Sequence, residues 1–301
     1  MKHWRFPASK PAAALGLALA MGSALTNAGE PAKSADAIAK ELSNPAGSLA
    51  SLNFNLQYQT FKGDLPGAGD QDSWSLIFQP VLPFPVGNKG RRVIFRPAVS
   101  VLFDQPIFSA DKLNADKPGF DRADAALGDI TFDLVYAGTD MVDKHNGYLW
   151  GIGAAGTFPT ATDDDFAGDQ WRLGPEIFAG VIRKWITFGA VLNHQWNVAG
   201  SNDDYHSVTA GQYFYAIGLG NGWQIASGPT FSYDWQADSD QAWTLPVGIG
   251  IAKTVKIGTT PTKFQLQLQY FVEQPDAFGP EWLLKFTVTP VVKNVFASWF
   301  R

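Results

Sequence analysis

Residues 48 to 61 give the clearest sign of the fold and read Ser-Leu-Ala-Ser-Leu-Asn-Phe-Asn-Leu-Gln-Tyr-Gln-Thr-Phe. In an extended strand, alternate side chains point to opposite faces. Here one face is apolar (Leu52, Phe54, Leu56, Tyr58) and the other carries only amides (Asn53, Asn55, Gln57, Gln59). A strand of a soluble sandwich would show Lys, Glu, Thr and Ser to bulk water. The amide-rich face opposite a broad aromatic face is typical of a strand in a transmembrane β-barrel.

The same alternation recurs along most of the remaining chain. One clear repeat is Phe264-Gln-Leu-Gln-Leu-Gln-Tyr270, and another runs from Trp282 to Val288. Together the repeats predict an all-β fold, an antiparallel transmembrane β-barrel of about twelve strands over residues 48–290. The repeat over residues 207–219 is the least clear. Because an even number of strands returns both ends of the chain to one side, we expect both termini in the periplasm.

The connections between the predicted strands alternate in length and in charge. The longer ones are acidic, as over residues 64–72, 104–124 and 163–169. The short ones are basic and contain Lys89, Arg91, Arg92, Lys144, Arg183, Lys184, Lys256 and Lys263. Short turns on one side and longer loops on the other are the arrangement of bacterial outer-membrane barrels. Prolines 80, 97, 175, 229 and 246 fall within predicted strands, so we expect them near rims or at bulges.

Tryptophans fall at the ends of the predicted strands. Those at the long-loop ends are Trp74, Trp171, Trp196, Trp235, Trp243 and Trp282, and those at the opposite ends are Trp150, Trp185 and Trp223. A soluble β-protein more often buries tryptophan in the middle of a strand. Two belts of aromatic rings are what the two interfaces of a membrane favour.

The regions outside the predicted strands have separate roles. Lys2, Arg5 and Lys10 precede an apolar run and then Thr26-Asn-Ala28, which predicts a cleaved signal peptide over residues 1–28. Residues 29–47 are expected to be a pre-barrel periplasmic segment, in which Ser34 caps a short helix. We favour a tethered segment over one that plugs the barrel. Residues 291–301 are either a C-terminal extension or a barrel-closing segment.

Composition excludes several classes of protein. Without residues 1–28 the chain has 20 basic and 28 acidic residues, a formal charge of about −8. Such acidity argues against nucleic acid as a partner, because phosphate binding needs clustered Lys and Arg. There is no cysteine, so no disulfide framework exists. No later run of apolar residues is long enough for a membrane-spanning helix.

The polar faces of the predicted strands supply candidates for the lining of a lumen. They are Asn53, Asn55, Gln57, Gln59, Arg96, Asp129, Asp133, Arg172, Glu176, Asp234, Gln265, Gln267, Gln269 and Lys285. The lining of a pore sets its selectivity, and the mixed signs of these charges predict weak ion selectivity. The alternative is a filled barrel in which the same charges are buried ion pairs. We expect solute to follow the uncharged stripe that joins the amides of the first strand to Gln265, Gln267 and Gln269.

Two kinds of chemical site can also be considered. Asp163, Asp164, Asp165 and Asp169 are weak candidates for binding a divalent cation, against the alternative of a solvated anionic loop. His194 lies near the outer rim beside Asn193, but no Gly-x-Ser-x-Gly elbow accompanies it. We therefore expect no enzyme and no cofactor. The expected partners are outer-membrane lipid and lipopolysaccharide, with the oligomeric state left open.

Six short motifs, taken in order, resemble a known family. They are Ala39-Lys-Glu-Leu-Ser-Asn-Pro45, Leu127-Gly-Asp-Ile130, Pro159-Thr-Ala-Thr-Asp-Asp164, Asn193-His-Gln-Trp196, Tyr233-Asp-Trp235 and Pro280-Glu-Trp282. The chain resembles, over nearly all of its mature length, bacterial outer-membrane proteins assigned to the MetA pathway of phenol degradation and often mislabelled neuromedin U. The resemblance implies a barrel described as a transporter, with no catalytic residues.

These patterns together predict an outer-membrane channel of a Gram-negative bacterium that passes small polar or amphipathic solutes, aromatic ones included, by passive diffusion. Two alternatives stay open. One is a filled structural or interaction barrel with acidic surface loops. The other, less favoured, is a lipid-modifying enzyme of the outer membrane that uses His194.

Overall fold

The computed structural model describes residues 33–87, 89–109, 119–201 and 205–300, so the predicted signal peptide lies outside the described residues. One helix, α1, spans Ala35–Leu42. The strands are β1 (Ala50–Lys62), β2 (Asp72–Val86), β3 (Arg91–Phe103), β4 (Gln105–Phe108), β5 (Phe120–Ala123), β6 (Ala126–Leu127), β7 (Ile130–Met141), β8 (Gly147–Phe158), β9 (Gln170–Ile182), β10 (Ile186–Gly200), β11 (Ser207–Gly220), β12 (Trp223–Ser227), β13 (Thr230–Asp234), β14 (Trp243–Ile257), β15 (Thr260–Glu273) and β16 (Gly279–Val292).

The sheet closes on itself. Each strand pairs antiparallel with the next in the order β1, β2, β3, β7, β8, β9, β10, β11, β12 with β13, β14, β15 and β16, and β16 pairs back with β1. Counting β12 and β13 as one interrupted strand gives twelve, as predicted. Strands β4 and β5 form a separate hairpin within the β3–β7 connection. Closure leaves no sheet edge, which in hydrocarbon would expose unsatisfied N–H and C=O groups.

The wall of the barrel has an inverted distribution of polarity. On β15 and β16 the outward side chains Leu266, Leu284 and Phe286 are 46%, 41% and 41% exposed. The side chains between them point inward, and Gln267 and Gln269 are only 4% and 1% exposed. Apolar outside and polar inside is the reverse of a soluble fold and matches a lipid-facing surface. Among the described residues, no helix is long and apolar enough to cross a membrane.

The two rims differ as predicted. One, the short-turn rim, carries the connections over residues 87–90, 142–146, 183–185, 221–222 and 258–259. The other, the long-loop rim, carries the longer connections, including residues 63–71 and 159–169. Strand β1 begins and β16 ends at the short-turn rim, where Ala50 pairs with Val292. Beyond Val292 the chain forms a 3-10 helix, Val295–Phe300, that packs on β2, and Asn294 Nδ2 donates to Pro83 O at 2.8 Å.

Prolines mark interruptions in the strand pairing. The β2–β3 register stops at Phe78 and resumes at Leu82, and Pro80 and Pro97 lie in that gap. Pro229 lies between β12 and β13, and Pro246 lies beside the register shift in β14. Because proline has no N–H to donate, it is tolerated where the ladder is already broken. The prediction of a bulge is confirmed at Pro246, whereas Pro80 and Pro97 lie in a gap in the ladder across which the register does not change.

Candidate functional site in the lumen of the barrel

Residues 33–47, which we call the plug, begin with a short capped helix. Ser34 has extended backbone angles, and its Oγ accepts from Ala37 N at 3.2 Å. This bond satisfies one of the donors left free at a helix start. The helix ends where the Ser43 hydroxyl turns back to donate to Ala39 O and Pro45 follows. The sequence therefore predicts the helix, with its cap, correctly.

The plug lies inside the barrel and touches strands from opposite walls. Asp36 accepts from the backbone N–H groups of Asn221 and Gly222 in the β11–β12 turn. Lys40 Nζ donates to Arg183 O at 2.9 Å. Further bonds join Asn44 Nδ2 to Thr139 Oγ1 at 3.0 Å and Arg92 Nη1 to Ala46 O at 3.1 Å. Strands β3 and β12, diametrically opposed in a twelve-stranded ring, both face it. The tethered arrangement favoured from sequence is wrong, because the plug is bonded to opposite walls of the barrel. No local pattern in the sequence shows this, since the bonded residues lie far apart in the chain.

The plug carries its own charge pair. Glu41 accepts from Lys33 Nζ at 2.6 Å and from both the amide and the hydroxyl of Ser48. Burial alone would raise the pKa of the Glu41 carboxyl, but the hydrogen bonds from Lys33 and Ser48 outweigh it and lower the pKa below its usual value. Glu41 is therefore an ionised carboxylate at neutral pH, and it fixes the point where the plug joins β1.

One side of the lumen is filled with apolar side chains. Ala46 of the plug is 1% exposed and packs in a buried cluster with inward residues of β3, β7, β8, β9 and β10. The cluster consists of Ala46, Ile94, Val135, Ala137, Leu149, Phe178, Ile182 and Val191. The ring of Phe178 occupies the space where a side chain on Gly151 would lie, since an added Cβ would come within 2.2 Å of it. The Gly-rich face of β8 thus makes room for this packing.

The other side of the lumen contains a cavity of about 230 Å³. Its walls come from the plug and from residues of β1, β2, β11, β12, β15 and β16, and Arg96 of β3 also reaches it. Asn53 and Asn55 line it together with Gln265, Gln267 and Lys285. The cavity therefore joins part of the predicted amide stripe to the surface of the plug.

Strands β1, β16 and β15 hold these polar side chains in cross-strand rows. The rows are Gln57, Lys285 and Gln267; then Asn55, Thr287 and Gln265; then Asn53, Thr289 and Lys263. We call these nine residues the amide–lysine patch. Directly opposite residues in adjacent strands lie close enough for their side chains to interact. Lys263 belongs to this patch, whereas the charge pattern of the sequence predicts it only in a basic turn. Its spacing of two residues from Gln265 is the sequence signal for an inward position.

A second charged group crosses the lumen at Arg96. Its Nη2 lies 2.9 Å from Asp133 Oδ2 and 3.3 Å from Glu176 Oε1. Glu176 is 1% exposed, and its Oε2 is buried with no hydrogen-bond partner among the described residues. Two predicted lumen carboxylates are therefore paired with one predicted lumen cation.

The remaining predicted lining residues lie closer to the long-loop rim. Asp129 accepts from the backbone of the β8–β9 loop, at Thr160 N and Ala161 N, both 3.0 Å. Asp234 accepts from Gln236 N at 2.9 Å. Arg172 pairs in register with Thr157 and Asn197. The cavity lining does not include these three, nor Gln57, Gln59 and Gln269.

The first residue of the predicted acidic run, Asp163, caps a short helix in the β8–β9 loop. Asp163 Oδ1 accepts from Asp165 N at 3.0 Å and begins the 3-10 helix Asp164–Phe166. Across the described part of the chain, no three His, Asp or Glu side chains are grouped so as to hold a metal ion.

His194 lies on the outward face near the long-loop rim. Its Nδ1 is 2.7 Å from Thr209 Oγ1, its Nε2 is 3.3 Å from Ser207 Oγ, and its ring packs on Trp196 with centroids 4.2 Å apart. Ser207 is 7% exposed. A nucleophile must be accessible to its substrate, so the burial of Ser207 argues against its hydroxyl as an attacking group. The contacts of His194 instead hold its ring in place against Trp196.

The break between β12 and β13 is bridged by side chains. Backbone pairing with β14 ends at Ile225 and resumes at Ser232. Tyr213 Oη donates to Pro246 O at 2.8 Å and Tyr215 Oη donates to Gly248 O at 2.9 Å. On the inner side, Gln212 Nε2 donates to Gly228 O at 3.1 Å. The sequence shows the proline but not these bridges, which join residues 33 positions apart for the two tyrosines and 16 positions apart for Gln212.

Replacing Tyr213 or Tyr215 with Phe is expected to weaken the barrel. Each change leaves a carbonyl of β14 without its donor in an apolar setting, which costs about 1–3 kcal/mol. Urea unfolding of the refolded protein, followed by tryptophan fluorescence, measures the loss. Tyr136→Phe is the control, because Tyr136 also faces outward and its hydroxyl has no hydrogen-bond partner in the described structure. Equal midpoints for Tyr213→Phe, Tyr215→Phe and Tyr136→Phe would contradict the bridging role.

The closed antiparallel wall, the inverted polarity and the two unlike rims define the fold as a twelve-stranded barrel of the outer-membrane type. Comparison with solved structures agrees: the chain is similar to the COG4313 outer membrane channel from Pseudomonas putida F1, with 15% identity, a TM-score of 0.56, and coverage of 81% of this chain and 95% of that one.

Two further solved structures are more distant. The NanC porin has 10% identity, a TM-score of 0.43, and coverage of 80% and 99%. The outer membrane phospholipase A from Escherichia coli has 11% identity, a TM-score of 0.38, and coverage of 81% and 97%. With TM-scores below 0.5, the porin and the phospholipase add nothing to the comparison with the COG4313 channel. No protein-family model matches the chain, and no curated protein matches it by sequence.

Proposed function

We propose that the chain forms an outer-membrane channel for passive passage of small polar or amphipathic solutes, and that the plug controls it. The observation that carries the proposal is the polar cavity of about 230 Å³, which the plug borders through the polar residues Ser43 and Asn44. A barrel that served only as a scaffold would need no polar space beside a separate segment. Asn44 and Lys40 each donate one hydrogen bond to the wall, and Asp36 accepts two from it. Each such bond contributes about 0.5–1.5 kcal/mol, or about 1.5–3 kcal/mol where a charged group takes part.

The proposed setting is the outer membrane of a Gram-negative cell, reached through cleavage of residues 1–28. The short-turn rim, with the plug, faces the periplasm, because short turns lie on that side in such barrels. The acidic long loops face outward, where divalent cations can bridge them to lipopolysaccharide phosphates. The phenol-degradation resemblance adds aromatic compounds to the solutes worth testing.

A second function, a filled structural barrel, is favoured by one observation. The apolar cluster around Ile94 and Phe178 occupies one half of the lumen and includes Ala46 of the plug. If this packing never opens, the acidic loops become the working surface and the barrel is a support for them.

Conductance separates the two functions. The refolded chain in a planar bilayer is expected to give current steps of reproducible size, because the cavity and the polar wall provide a path for hydrated ions. Heat-denatured protein from the same preparation is the control. If both the full chain and the chain without the plug leave the bilayer silent, the channel proposal fails and the filled barrel stands.

A further inference from the structure

The amide–lysine patch presents hydrogen-bond donors to the cavity. Thr287 Oγ1 donates to Asn55 Oδ1 at 2.8 Å, and Thr289 Oγ1 donates to Asn53 Oδ1 at 2.9 Å. Gln267 Oε1 accepts from Ser227 Oγ at 3.1 Å and from Gly228 N at 3.0 Å. In Asn53 and Gln267 the oxygen is therefore occupied, and the NH₂ group is what remains to meet a solute. Asn55 Nδ2 and Gln265 Nε2 donate one N–H each to the wall, to Ile77 O at 3.5 Å and to Ala226 O at 2.9 Å, so each of these amides keeps a second N–H.

Two lysines add positive charge to the same surface. Lys263 is 7% exposed, and among the described residues its Nζ has one hydrogen-bond partner, the Ser43 hydroxyl of the plug, at 3.4 Å. Lys285 lines the cavity, and no carboxylate of the described residues forms an ion pair with it. An ammonium taken out of bulk water without a counter-charge is unfavourable, so an anion that enters the cavity gains more from these groups than it would at a protein surface.

The carboxylates near the cavity are already engaged. Glu41 is held by Lys33 and Ser48, and Asp133 and Glu176 share Arg96. The nine residues of the patch include no acid. The mixed signs that predicted weak selectivity are thus separated in space: acids and Arg96 pair with one another, while Lys263 and Lys285 are left facing the cavity.

We propose that the amide–lysine patch is a binding site for small organic anions, and that the carboxylate is the group it recognises. Lys285 and Lys263 lie on adjacent strands four residues apart in register, about 14 Å along the strand direction at about 3.4 Å per residue. They form two successive stopping points, the second beside the plug. The inference gives the solute class for the channel proposed above and rests on that lumen being the path.

Site-specific NMR tests binding without requiring any current. The full refolded chain, isotopically labelled in lysine and held in detergent micelles, is titrated with succinate and, separately, with succinamide, its uncharged isostere. The Lys263 and Lys285 side-chain resonances, assigned by their loss in Lys263→Met and Lys285→Met, are expected to shift saturably with succinate alone. Lys256, at the short-turn rim and outside the cavity lining, is the internal control.

Three outcomes overturn the anion site: no shift at either lysine, equal shifts with succinate and succinamide, or the same shift at Lys256.

Reversal potentials in a potassium acetate gradient extend the test to transport. Acetate is expected to permeate more readily than potassium in the parent and in Lys256→Met, and the preference is expected to fall severalfold in Lys263→Met/Lys285→Met. A silent bilayer with a positive NMR titration would reject the channel while keeping the anion site. Currents without NMR shifts would reject the anion site while keeping the channel.

Discussion

A chain that begins at residue 48 is expected to give larger and more persistent current steps than the chain that keeps the plug. The plug reaches both β3 and the opposite strand β12, so its removal opens the lumen at the short-turn rim. It also removes Ala46 from the buried cluster and leaves Lys263 without its Ser43 partner. The conductance of single channels, compared at one salt concentration, measures the change, and we expect a severalfold rise.

Two matched variants accompany the deletion. Asn44→Ala and Asp36→Ala keep the plug but remove its bonds to Thr139 and to the β11–β12 turn. They are expected to open more often than the parent, with current steps of the parent's size. A heat-dependent gel shift shows that each variant still forms a closed barrel. Identical step sizes with and without residues 33–47 would show that the plug does not restrict the path.

Replacing Arg96 with Met is expected to be the most destabilising single change in the lumen. It removes the shared partner of Asp133 and Glu176 and leaves two carboxylates facing each other in a buried site. Breaking a buried ion pair by removing one partner costs about 3–5 kcal/mol. Urea unfolding of the refolded barrel, followed by tryptophan fluorescence, measures the lost free energy.

A compensating variant tests the cause of that loss. Arg96→Met/Asp133→Leu/Glu176→Met removes all three charges, and apolar replacement of a whole buried ionic group is often neutral. It is expected to recover most of the stability. Arg122→Gln is the control for loss of an arginine, because Arg122 of β5 pairs with Asp72 and Asp104 at the long-loop rim, where the side chains are solvent-exposed and ion pairs contribute little. An Arg96→Met midpoint equal to that of Arg122→Gln would contradict the account of the triad.

The wall of the barrel was predictable because its signal is local. Alternation along β1 and β15 reports directly which side chains face each solvent, and the turn charges and tryptophans report the rims. The cap at Ser34 is a local signal of the same kind. What the sequence did not show depends on partners distant in the chain: the plug bound to the β11–β12 turn, Tyr215 bound to Gly248, and Arg96 shared between β7 and β9.

The lumen shows the same division between local and distant information. Period-two alternation placed Asn53, Gln265 and Lys285 on the inward face, and all three line the cavity. Alternation does not show how far a residue lies from either rim, so it does not separate these residues from Asp129 and Asp234. Those two carboxylates accept hydrogen bonds from loop backbone at the long-loop rim. It also did not show that one half of the lumen is filled, because the inward residues of β8 include glycines whose space Phe178 occupies.

The channel proposal requires a plug that closes the lumen and moves when solute passes, and a reversible crosslink tests both points. Asn44 of the plug contacts Thr139 of β7, with 3.0 Å between Asn44 Nδ2 and Thr139 Oγ1, and the chain has no cysteine of its own. In the Asn44→Cys/Thr139→Cys variant, a short cleavable reagent that joins the two thiols is expected to abolish the single-channel current steps, and the steps are expected to return when reductant cleaves the reagent in the same bilayer. Steps of unchanged size and frequency before and after cleavage would contradict the closing role of the plug.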